Sequence, residues 1–65
     1  MKYTELKKGD VVKFTLGVLP YEQKGRFEHW KERDEKTVLI YIRLSSGALL
    51  DLVYEKNAEV EVEDE

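Results

Sequence analysis

A small all-β domain of five short strands is what this chain predicts. Glycine or proline interrupts it at Gly9, Gly17, Pro20, Gly25 and Gly47, so no stretch before the charged middle is long enough for a typical helix. Between these breaks apolar and polar residues alternate with period two, the pattern of a strand buried on one face. The 65 residues are 42% hydrophobic and 38% charged. A chain that short folds as one domain, 1–65, and buries only about 60% of its unfolded surface.

Each element follows in order. Gly9 and Asp10 make a turn, after which VVKFTLGV puts Val12, Phe14 and Leu16 on one face and Lys13 and Thr15 on the other. The segment GVLPYEQKG at 17–25 is expected to be a long exposed loop, because Pro20 cannot donate to a ladder and glycines bracket it. From Lys24 to about Glu32 the chain is extended again. Strict alternation there puts Phe27 and His29 on one face and Arg26, Glu28 and Trp30 on the other. A helix over EHWKERDEK competes, since those residues are good helix formers, but its apolar content is too thin to anchor one.

The segment ERDEK joins this strand to KTVLIYIRL, which is β-branched and apolar on both faces: Val38, Ile40, Ile42 and Leu44 against Leu39 and Tyr41. Such a strand belongs inside a sheet. SSG at 45–47 is a hairpin turn and ALLDLVY a fourth strand. YEKNA at 54–58 has the length of a single 3₁₀ turn, and EVEVE makes a fifth strand with Val60 and Val62 inward.

The residues LKKGDVVKF at 6–14, the strand KGRFEHW with glycine at its start, and the ending YEKNAEVEV together give the chain its likeness to a known fold. Five strands, a long first loop, two tight hairpins and a one-turn helix before the last strand resemble an SH3-like barrel, the small partly open fold of SH3, Tudor, chromo-like and KOW domains. The likeness spans nearly the whole chain and is one of fold. The ALYDY-type motif and paired tryptophan of proline-rich-peptide binders are absent, and fold alone does not assign a function.

Composition narrows the function classes. There is no cysteine, so no disulfide or thiolate metal site stabilises the chain. The longest apolar run, VLIYI at 38–42, is too short to cross a bilayer, and the start MKYTELKKGD has no apolar leader segment. The expectation is a cytoplasmic protein with no membrane partner and no cofactor. Lys- and Glu-rich usage suits a thermostable or a designed protein. Net charge is −3, unevenly spread. Residues 1–54 carry ten basic against eight acidic side chains, and 55–65 carry one against six. The acidic end at 59–65 reads as a closing strand whose outward glutamates discourage edge pairing, ahead of a second reading as a nucleic-acid mimic that occupies another protein's basic groove.

No catalytic residue is expected. His29 has no second histidine or cysteine to share a metal with, and Ser45 and Ser46 lie in a turn without the context of a nucleophile. The paired carboxylates lack a cleft that would separate their pKa values, and no glycine pair has phosphate-loop spacing. Binding is the expected role. The candidate surface is Arg26, Trp30, Leu39, Tyr41 and Arg43, joined by Leu49 and Val53, with Pro20 and Tyr21 from the first loop, serving a protein partner, a second copy or a larger assembly as an accessory subunit. Three other uses compete. Lys7, Lys8, Lys13, Lys24, Arg26 and Trp30 could serve a nucleic acid, against which stands the acidic balance of the chain. Tyr21, Trp30, Tyr41 and Tyr54 could form the aromatic cage for a methylated ammonium that the Tudor resemblance allows. The chain could also be a scaffold without a ligand. For Trp30 the alternative to an open surface is burial under the loop at 17–25.

Overall fold

A computed structural model describes residues 1–15, 17 and 21–63. A 3₁₀ turn, Tyr3–Glu5, precedes five strands: β1 Val11–Thr15, β2 Glu22–Glu32, β3 Thr37–Arg43, β4 Leu49–Glu55 and β5 Glu61–Val62. All pairings are antiparallel, in the order β4-β3-β2-β1-β5. The chain is all-β as expected. The sheet is open, because β4 and β5 are its two edges and do not pair.

The core lies on one face of this sheet. Val12, Phe14, Phe27, Val38, Ile40 and Ile42 are buried there with Leu6 and Val60, and Leu50, Leu52, Tyr54 and Val62 pack against them. Leu16, expected on the same face, lies outside the described residues. Contributions from both β1 and β4 to one cluster require the sheet to curl. Gly25 packs closely in this sheet: a Cβ there would collide with the Ile42 Cγ2 methyl, which fills the space that any other residue would occupy.

Local chemistry shapes the connections. In the β2–β3 turn the Asp34 carboxylate accepts the backbone N–H groups of Lys36 and Thr37, both at 2.8 Å. These bonds, with Arg33 beside it, hold the carboxyl below the usual carboxylate range. The β3–β4 hairpin closes with Leu44 N–H donating to Ala48 O and Gly47 N–H to Leu44 O, and Gly47 takes a φ of 93° that favours glycine.

Three expectations are corrected. The second strand begins at Glu22 rather than Lys24, so part of the expected loop is ladder, paired with Lys13, Phe14 and Thr15. The segment before the last strand is one hydrogen-bonded turn, Ala58 N–H to Glu55 O; the 3₁₀ helix is instead at Tyr3–Glu5, where the Glu5 carboxylate accepts the Lys2 N–H. The third correction concerns β2 itself. Its pairing with β3 slips by one residue between Phe27 and His29, a β-bulge at Glu28. A slip of one residue turns every later side chain to the other face. Trp30 therefore stands opposite Ile40 on the core side, and His29 opposite Tyr41 on the outer side.

Candidate functional site

The outer face of β2, β3 and β4 carries mostly exposed side chains, with Leu39 and Tyr41 half-buried among them. Its rungs can be read from the register. Arg26, Arg43 and Leu49 form one; His29, Tyr41 and Asp51 the next; Lys31, Leu39 and Val53 the third. Val11 extends the first rung onto β1.

Three side-chain arrangements define this face. His29 stacks on Tyr41 with ring centroids 4.4 Å apart and 19° between planes, an aromatic pair that bridges β2 and β3. Leu49 and Val53 are exposed apolar side chains, at 46% and 56%, on the same side as half-buried Leu39. The guanidinium groups are held in place: Arg26 Nη1 donates to Gly9 O at 3.0 Å and Arg43 Nη1 to Gly47 O at 2.8 Å, with the Glu28 carboxylate 3.8 Å from Arg43 Nε.

The expected surface is thus assembled in part. Leu39, Tyr41, Arg26 and Arg43 come together, as do Leu49 and Val53. Trp30 does not join them. It packs edge-on against Tyr3 with centroids 4.9 Å apart, on the opposite side of the sheet and 41% exposed. Of the loop expected at 17–25, Glu22–Gly25 is strand paired with β1, and residues 18–20 lie outside the described residues. Tyr21 is exposed at 60%; Pro20 lies outside the described residues.

His29 takes the place given to Trp30. Only the register against β3 reveals this, because Glu28 has no side chain that announces a bulge. Three of the four rings of the expected cage divide between the faces: Tyr41 is on the outer side, whereas Trp30 and Tyr54 are on the core side, where burial and nearby Glu61 push the Tyr54 hydroxyl pKa up.

The lysines proposed for nucleic acid are likewise divided. Lys7 and Lys8 are exposed in the turn before β1, and Lys13 lies on the outer face of β1 opposite Lys24. Lys24 Nζ donates to Glu63 Oε1 at 2.6 Å. That bond keeps the lysine charged to higher pH and the carboxylate charged to lower pH than usual.

Chemically, the face offers contact area and fixed cations. Among the described residues no polar side chain is buried, and no three histidine or carboxylate groups converge as metal ligands. No helix is long and apolar enough to cross a membrane. Comparison with protein-family models, curated proteins and solved structures finds no match.

Proposed function

We propose that this protein is a non-catalytic protein-interaction module that binds its partner on the outer face of β2–β4. The observation that carries this is the His29–Tyr41 stack flanked by exposed Leu49 and Val53. Aromatic and arginine side chains are enriched in interface hot spots, and here they lie beside exposed apolar Leu49 and Val53 on the same face.

The cation positions favour a protein over a nucleic acid. Lys24 is paired with Glu63 and Arg43 has Glu28 beside it. The net charge of −3 gives no sustained positive field along which a phosphate backbone could track. For the fold, an SH3-like barrel with an open seam is the arrangement we favour. Its support is the return of β5 to β1 and the shared core of β1 and β4.

The test is capture by the immobilised chain. Proteins retained by the wild type and lost by the double variant Leu49→Ser, Val53→Ser, while that variant still unfolds cooperatively above the capture temperature, would support the outer face. Equal retention by both would remove it.

A further inference from the structure

Arg26 and Arg43 are directly opposite each other on adjacent strands. Like charges in that relation are destabilising unless something offsets them. Here both guanidinium groups are positioned by backbone carbonyls, Gly9 O for Arg26 and Gly47 O for Arg43. A carbonyl orients a guanidinium without neutralising it. Glu28 approaches Arg43 only to 3.8 Å, and among the described residues Arg26 forms no ion pair. The two arginines, with Lys24 and Ser45, line a groove of about 260 Å³.

The geometry points to this groove as a binding site for a phosphate monoester carried by a side chain of the protein partner. Two arginines with donors left over match a doubly charged oxyanion, to which guanidinium binds through parallel charge-assisted hydrogen bonds. A phosphomonoester carries close to two negative charges at neutral pH, a carboxylate one. Leu49 lies on the same rung, so a phosphorylated residue bound here would place its neighbours along the apolar outer face. The inference rests on reading that face as the protein-binding surface, and adds the chemistry of one partner residue.

The experiment follows the Nε–H resonances of Arg26 and Arg43 by NMR while inorganic phosphate is titrated at constant ionic strength. Acetate, a phosphoserine peptide and a ten-nucleotide oligothymidylate are titrated in parallel. Phosphate should saturate with a Kd on the order of millimolar, the phosphopeptide should bind more tightly, and acetate should bind more weakly. Arg26→Gln and Arg43→Gln should each weaken phosphate by about tenfold. Glu28→Gln should tighten it several-fold by releasing Arg43, an effect that general loss of structure would not produce.

Shifts that rise linearly with every salt, or a phosphate affinity read at the remaining arginine that neither single substitution changes, would overturn the site. An oligonucleotide that outbinds the phosphopeptide would overturn the assignment to a protein partner. The Leu49→Ser, Val53→Ser variant separates this inference from the functional proposal: it should keep phosphate binding while losing partner capture.

Discussion

Replacing Trp30 by alanine should cost the fold substantially, because the bulge at Glu28 turns this side chain to the core side. Its exposure is 41%, leaving somewhat more than half of a large ring system covered. For a tryptophan, truncation then removes about 100–150 Å² of apolar burial, worth about 2–3 kcal/mol after allowing for a compact unfolded state. The edge-on packing against Tyr3 at 4.9 Å contributes about 0.5–1.5 kcal/mol within the same range of effect. For a domain of this size each kcal/mol moves the midpoint by about 4–8 °C, so Trp30→Ala should lower it by about 10–20 °C. Thermal unfolding followed by far-UV circular dichroism measures this directly. A drop below about 3 °C would refute the assignment of Trp30 to the core side and restore the strictly alternating strand.

Four further outcomes are expected. Gly25→Ala should destabilise by about 1–3 kcal/mol, since the new methyl collides with the Ile42 Cγ2 methyl; urea titration measures it. Deleting Glu28 should remove the extra residue while keeping Trp30 opposite Ile40, so the variant should unfold cooperatively within about 10 °C of the wild type, whereas deleting Tyr41 from the unbulged β3 should abolish folding. Asp34 has a carboxyl pKa lowered in the folded state, so its contribution is present above the unfolded pKa and lost as pH falls through the folded one. Melting temperatures from pH 7 down through the carboxylate range should therefore fall less steeply in Asp34→Asn than in the wild type. Oligonucleotide binding should be weak at low salt, and tight binding that falls steeply with added salt would transfer the function to nucleic acid.

The alternating pattern made most of the sheet legible in the sequence. Val12 and Phe14 on β1, and Val38, Ile40 and Ile42 on β3, are buried as their alternation requires, and apolar positions on both faces of β3 correctly marked an interior strand. The start of β2 was hidden because the glycines and Pro20 around it read as loop punctuation, while cross-strand pairing to β1 holds Glu22–Gly25 extended. The Tyr3–Glu5 turn depends on the Glu5 carboxylate folding back to Lys2 and on packing of Tyr3 against the core, neither of which has a period. For the site, Leu39, Tyr41, Arg26 and Arg43 were legible because they lie on strands whose parity is regular up to their positions. His29 and Trp30 were exchanged because parity fails at one residue, and a bulge is fixed by the partner strand rather than by its own side chain.

The proposed function places a protein partner on the outer face of β2–β4, over the His29–Tyr41 stack with Leu49 and Val53. The affinity of a captured partner for wild type and for the Leu49→Ser, Val53→Ser variant, measured beside their melting temperatures, decides it. Removing the two apolar side chains that flank the stack should weaken binding by about tenfold or more, measured well below the midpoint of a variant that still unfolds cooperatively. Unchanged affinity with an intact fold would contradict it.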